Sequence, residues 1–457
     1  MELTSVGHAC WIIKTTSTTI ITDPVLMDPF EQGTVTACPS REIQIPKLPK
    51  LDAIFISHRH LDHFHVPTLK KLPTNIPVFI PDDRLTKLAL QQIGFQDIRT
   101  MKAFVEQKVN DDFSLIPLPS ITDDFIEHGA IFVHTEKEKK YTILNQVDTP
   151  LSDDIIEVIK SRFKQIDVHL AMYASQDFGW FNGQPEQIAE TYTQNLHVAL
   201  SLEAKLVVPA AAGFRFVDRF DYLNHLLFPI SQERFISDVK KLSKNSNCEA
   251  INPGDVLQIT DTINIQQQAA EFVKMVENDL YRINYDPTGP VPKLVDENPN
   301  NYPVAHLRHF VTTVIEQGMT AYLNAALQIA EKVAMEYRQH NATYRVEVVL
   351  PDGELGWSFS FSDSGYTVYT GDDAPRPDAR WRITGSALLD LCEGKKGCWA
   401  IRPESRKWSN VLLAKRTPVG IRAIQFELPD LLTHFILNMQ IRSRGEEQAM
   451  LSYFGLT

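Results

Sequence analysis

The chain has 457 residues, 43% apolar and 22% charged, which is ordinary globular usage and excludes a disordered, collagenous or coiled-coil protein. Its 45 Lys and Arg against 57 Asp and Glu leave a net charge of −12, poorly suited to neutralising a nucleic acid backbone. Length alone suggests two or three domains.

In chain order, residues 10–13 and 19–22 read as two strands around a turn. Residues 52–56 form a buried strand, 67–72 start a helix with Pro67 in its first turn, 78–80 are a strand and 85–93 a helix. Residues 130–133 and 141–147 read as a hairpin across the charged turn 136–140. A helix at 153–163, a strand at 168–172, a helix at 186–202 and a strand at 206–209 follow. Paired strands, then strands alternating with helices, predict two sheets with helices outside. Five prolines between 284 and 303 cannot continue a helix or a central strand, and they mark a connecting segment. Residues 306–340 are a long helical stretch broken near Gly318. Strands at 344–350, 357–362, 366–369 and 380–384 and a helix at 386–393 complete a separate α+β unit. The expected division is 1–260, 261–305 and 306–457. Five scattered cysteines argue against a disulfide framework. No basic stretch and apolar run opens the chain, and no segment approaches 18 apolar residues. The expectation is a cytoplasmic protein without a membrane span.

The strongest chemical signal is Ser57-His58-Arg59-His60-Leu61-Asp62-His63, directly after the buried strand. His58 and His60 are two apart, so an extended loop projects them to one side. Asp62 and His63 then turn onto a second position. Imidazole with carboxylate suits zinc, iron, manganese or nickel better than calcium. The plainer alternative is a polar loop with incidental histidines.

These residues resemble the HxHxDH signature of the metallo-β-lactamase superfamily, and Val6-Gly7-His8-Ala9, Ile21-Thr22-Asp23-Pro24 and Leu144 to Thr149 (LNQVDT) strengthen the resemblance. Within the superfamily the sequence is most similar to the metallo-β-lactamase-like part of CMP-N-acetylneuraminate hydroxylase, through 58–72, 143–148 and 208–214. The resemblance covers about residues 1–260 and implies a four-layer αββα sandwich followed by the C-terminal α+β domain. It implies metal ligands His58, His60, Asp62, His63 and Asp148, with Asp148 bridging two metals. Where the family has a further His, this chain has Ser120 to Phe125 (SITDDF), so Asp124 or Asp123 stands in, with His128 as runner-up. The family's last His is absent from Pro209-Ala210-Ala211-Ala212-Gly213, and His225 or Asp218 would have to fold back to replace it.

Two histidines with carboxylates and open positions suit non-haem iron and oxygen chemistry. The first expectation is therefore an iron oxygenase or hydroxylase of a small polar or anionic substrate. The family it resembles carries a Rieske module, and no Cys-x-His and Cys-x-x-His pair exists here, so electrons would come from a separate electron-transfer protein. The alternative is a zinc- or manganese-dependent hydrolase of a phosphodiester, lactone or ester, with Asp62 or Asp148 orienting water and taking its proton. A non-catalytic metal-binding module is the third. His8 is read as a substrate contact, Asp23 as the partner that orients a ligating His, and His65 as structural. Gln176, Asp177 and Trp180 lie on an aromatic, glycine-containing loop suited to a substrate wall, and Arg215 could pair with an anionic substrate. The C-terminal domain is loosely similar to sterol-carrier-like folds; the expectation is that it packs over the catalytic domain or forms a homodimer contact, with a site for an apolar ligand as the alternative.

Overall fold

The computed structural model describes residues 1–120, 126–174, 176–177, 188–243, 245–371, 373–409, 411–417, 420–426 and 428–456. Two compact units result, Met1–Asp177 with Gln187–Pro290, and Phe178–Glu186 with Val291–Thr457.

The first unit is built on two large sheets. Strands β1 (Glu2–Gly7), β2 (Cys10–Lys14), β3 (Thr19–Thr22), β4 (Ala53–Phe55), β5 (Val78–Pro81) and β6 (Ile98–Met101) lie side by side in that order. The first three are antiparallel and the last four parallel. Strands β7 (Gln107–Lys108), β8 (Phe113–Pro119), β9 (His128–Glu136), β10 (Lys139–Asn145), β11 (Val168–Met172), β12 (Leu206–Ala210) and β13 (Asn247–Cys248) make the second sheet, again in chain order. It too changes from antiparallel pairs to parallel pairs, at β10. Strands β14 (Val256–Ile259) and β15 (Ile263–Gln266) close the free edge of the first sheet.

Alternation along the strands explains the layers. Phe113, Leu115, Ala130 and Phe132 share one buried core with Trp11, Ile13, Phe55 and Phe79, so the two sheets face each other. Their alternate neighbours Ile116, Leu118, Ile131 and Val133 pack on the far side against helices α3 (Asp153–Arg162), α4 (Ile188–Ser201) and α5 (Gln232–Leu242). Between the β4 and β6 segments come α1 (Val66–Leu69) and α2 (Arg84–Ile93). The latter starts on an Asp83 cap and buries Leu85, Ala89 and Leu90. This is the αββα arrangement expected from the sequence. Helix α1 is shorter than expected, ending at Leu69 rather than residue 72.

The first unit runs through Pro290 and takes in the early part of the expected connecting segment. Strand β15 pairs with β14, and Val273–Glu277 pairs with Ser40–Ile43. Both are half-exposed edge segments with little apolar pattern, so their pairing left no mark in the sequence. Asp279, fully buried, then accepts Ser40 Oγ at 2.6 Å, Ser40 N at 2.8 Å and Arg215 Nε at 2.7 Å.

The second unit has a five-stranded sheet from β16 (Thr343–Leu350), β17 (Gly353–Ser362), β18 (Gly365–Thr370), β19 (Ala379–Thr384) and β20 (Ser405–Ser409). Its order is β18-β17-β16-β19-β20. The long helical stretch is not broken near Gly318: α6 (Val304–Thr312) continues through a π-helical turn, Thr313–Met319, into α7 (Thr320–Gln328), and the helix is interrupted only at 329–331, before α8 (Lys332–Gln339). A side chain at Gly318 would place its Cβ 2.8 Å from the Phe435 ring, so this close approach requires glycine. Helices α9 (Gly385–Cys392), α10 (Leu431–Arg444) and α11 (Glu446–Ser452) also belong to the unit, as does the antiparallel pair Val411–Thr417 and Gly420–Phe426. Among the described residues no helix is long and apolar enough to cross a membrane.

Removing the Asp279 carboxylate leaves Arg215 and Ser40 without their acceptor. Asp279→Ala should therefore lower the stability of the first unit by roughly 3 kcal/mol. Urea denaturation should show an earlier midpoint at unchanged slope; a change below about 0.5 kcal/mol would show that the pair contributes no net stability.

Candidate metal centre

The site is built at the ends of parallel strands, where loops diverge from the sheet. Strand β4 is buried on both faces and ends at Phe55. Ile56 N still bonds to Phe79 O, and Ser57 O accepts the N–H of His128 at 3.0 Å, so the HxHxDH loop leaves from a fixed point. His63 N and Phe64 N both bond back to His60 O, which folds the loop into a turn.

Asp23, at the end of β3 and fully buried, orients this loop. Its carboxylate accepts Ser57 N at 2.7 Å and Ser57 Oγ at 2.8 Å, and lies 3.0 Å from His63 Nδ1. Ser57 Oγ is also 2.9 Å from His58 Nδ1. Both imidazoles are therefore held by Nδ1 and present Nε2 to the site.

Two groups of donors converge. One is His58, His60 and Asp148; the other is His8, Asp62 and His63. His58 Nε2 lies 3.0 Å from His60 Nδ1 and 3.9 Å from Asp148 Oδ2. Asp62 Oδ2 lies 3.1 Å from His8 Nε2 and 3.4 Å from His63 Nε2. Asp148 Oδ2 is 3.3 Å from His63 Nε2, so this carboxylate borders both groups. Most of these separations approach the roughly 3.0–3.4 Å edges of a ligand shell with bonds of about 2.1 Å.

The electrostatics suit a cation. Burial first, and the neighbouring His63 and His60 next, hold His58 well below the usual imidazole range, in the neutral form a metal requires. Burial also opposes charge on His63, but Asp62 and Asp148 outweigh it and raise His63 well above that range. Nε2 of His63 is nevertheless buried without a hydrogen bond of acceptable geometry. Three carboxylates thus surround one imidazole, and a metal ion would neutralise this negative excess.

Residues 2–118 match the family model of the β-lactamase superfamily domain. The matched segment carries His8, Asp23 and the whole HxHxDH loop, while Asp148 lies beyond it. Among curated relatives, a Mycolicibacterium smegmatis protein named for a Rieske 2Fe-2S centre is 26% identical over 182 residues, 38% of this chain and 34% of that one. The cytidine monophosphate-N-acetylneuraminic acid hydroxylase of Cricetulus griseus is 30% identical over 155 residues, 32% of this chain and 27% of that one. The chain spans about a third or less of the length of these relatives. Among solved structures, CmlA, a diiron β-hydroxylase from Streptomyces venezuelae, is 16% identical with a TM-score of 0.39, covering 55% of this chain and 53% of that one.

Within the matched segment and the strands that follow it, His58, His60, Asp62, His63 and Asp148 come together. Asp124, Asp123 and Trp180 lie outside the described residues. His128 does not join the centre, because its ring bonds to the backbone of Leu118 and Met101. His225 does not fold back either; it bonds Asn284 O. Arg215 is held by Asp279 rather than presented to a ligand. Asp177 is buried, with its N–H on Leu227 O and its charge facing Tyr285, and Gln176 is half-buried beside it. His65 bonds Thr68 Oγ1 at 2.8 Å, and burial lowers its pKa to about 4, consistent with a structural role.

Sequence reasoning missed what holds Asp148. Gln146 Nε2 donates to Thr149 O, and Thr149 N bonds Gln146 O, closing a turn with Asp148 at its tip. Gln146 Oε1 in turn accepts from Met172 N at 3.3 Å and lies 3.0 Å from His169 Nε2 on β11. His169 is fully buried, which lowers its pKa to about 3 and keeps it neutral. The one available signal was a lone histidine in the apolar strand 168–172.

His58→Ala or His60→Ala should abolish retention of one metal ion through desalting, whereas His65→Ala should not, as elemental analysis will read. A protein that keeps full metal without His58 and His60 would remove the site assignment. Asp23→Ala and Gln146→Leu, which leave every ligand in place, should each weaken metal affinity roughly 10- to 100-fold in a chelator competition.

Proposed function

We propose that the first unit is a non-haem iron oxygenase or hydroxylase of a small polar or anionic substrate, with an external protein as electron donor. The observation that carries this reading is the group His58, His60 and Asp148, two imidazoles and one carboxylate whose donor atoms all lie within 4.8 Å of one another. That composition leaves coordination positions open and is associated with iron(II) and dioxygen. Bound iron would supply the redox chemistry. The chain's own residues do the rest. Ser57 and Asp23 fix the imidazoles, and buried Phe30 and Phe214 exclude water behind His8. Asp148, with 35% of its side chain exposed, is the ligand open to the substrate side and the carboxylate able to take up a proton. The partial likeness to hydroxylase and Rieske-type relatives supports the reading and an electron-transfer partner.

A second reading is a zinc- or manganese-dependent hydrolase. It is favoured by Asp148 standing 3.3 Å from His63 Nε2 and 3.9 Å from His58 Nε2, one carboxylate shared by two donor groups, as in two-metal hydrolytic sites. In that case Asp62 would orient the attacking water and receive its proton.

Anaerobic purification followed by elemental analysis and oxygen-electrode measurements distinguishes the readings. Iron, together with reductant-dependent oxygen uptake that disappears in His58→Ala, is the expected result. Zinc or manganese with turnover of a model phosphodiester or ester would establish the hydrolase reading instead. A protein without metal would leave a non-catalytic module.

A further inference from the structure

We infer that His8 is a metal ligand and completes the second metal position together with Asp62 and His63; this rests on reading the centre as a metal site. Without His8 that position has one imidazole and one carboxylate of its own. The wall beside it is apolar, with Ala9, Val147 and Ala211 buried in mutual contact. Among the described residues, His8 is the further imidazole whose nitrogen reaches this group.

The chain aims this side chain by unusual means. The β1–β2 turn carries a register shift between Ser5 and Gly7, and both Gly7 and His8 have positive φ, 104° and 54°. A histidine in that region is strained and persists only where its surroundings over-determine it. They do so here. The Arg41 guanidinium, fully buried and paired with Asp28, donates to Val6 O at 2.7 Å and Gly7 O at 3.1 Å. Phe30 stacks on the His8 ring at 5.6 Å and Phe214 meets it edge-on at 5.5 Å. Gly213 comes so close that a Cβ there would lie 3.1 Å from His8 N and Cα.

What all this aims is Nε2, at 3.1 Å from Asp62 Oδ2, the oxygen that His63 Nε2 also faces at 3.4 Å. A hydrogen bond that merely steadied Asp62 would not require two imidazoles on one carboxylate oxygen. As a ligand, His8 makes the second group two imidazoles and one carboxylate, the same donor set as His58, His60 and Asp148. Both positions then select the same kind of metal. His8 and Trp11 also line a small cavity of about 30 Å³, room for one water to receive the Nδ1 proton of a ligating imidazole.

Cobalt(II) serves as the probe. Apo-protein, His8→Ala and His8→Gln are loaded with cobalt(II), desalted and counted by elemental analysis, with circular dichroism checking the fold. The hyperfine-shifted imidazole N–H protons are counted by NMR. Wild type should hold two ions per chain. Both variants should hold one and lack two shifted imidazole protons, those of His8 and His63. Glutamine keeps a hydrogen bond to Asp62 but is a poor ligand, so two ions in His8→Gln would overturn the inference in favour of a positioning role. Equal counts in wild type and His8→Ala, whether one or two, would overturn it while leaving the His58–His60–Asp148 site standing. No ion in the wild type would overturn the metal reading itself.

Discussion

A carboxylate removed from water survives as an anion only if donors replace its hydration, and Asp23 has three: the Ser57 amide, the Ser57 hydroxyl and the His63 ring. Those bonds join the end of β3 to the end of β4 and set the start of the HxHxDH loop. Through the Ser57 hydroxyl the same carboxylate reaches His58. One buried charge thus fixes the orientation of two imidazoles that belong to different donor groups. The rest of the centre is arranged around that anchor.

The sandwich supplies the rigidity and the strand ends supply the chemistry. Phe55, Phe79, Phe113 and Phe132 fill the space between the sheets and make it a solid platform. Part of the backbone strain sits where the platform ends. His8, Asp23, Val147 and Ala211 all have positive φ, and all stand at or next to the centre. Non-glycine residues in such conformations gather at functional sites because only a firm surrounding structure can hold them.

The sequence made the local parts of this design readable. The HxHxDH loop declares itself because its donors are neighbours in the chain, and the strand before it is an unbroken apolar run. Asp23 was readable as an orienting residue from its place before Pro24. Contacts between distant residues were not readable. His8 meets Asp62 across 54 positions, Arg41 clamps a turn 34 residues earlier, and Asp279 reaches back 239 residues to Ser40. Edge strands such as Ile263–Gln266 escaped because backbone pairing, not side-chain burial, defines them. Arg215 looked available for an anion because nothing near it in sequence revealed the carboxylate it meets.

The amide of Gln146 has a mechanical consequence. It is bonded at one end to the turn that carries Asp148 and at the other to Met172 N and the His169 ring, at the outlet of β11. The chain leaving β11 leads straight to Gln176 and Asp177. The side chain therefore works as a short tie rod: any pull on that outlet is felt at the shared carboxylate, and any change in what the carboxylate holds is felt at the outlet.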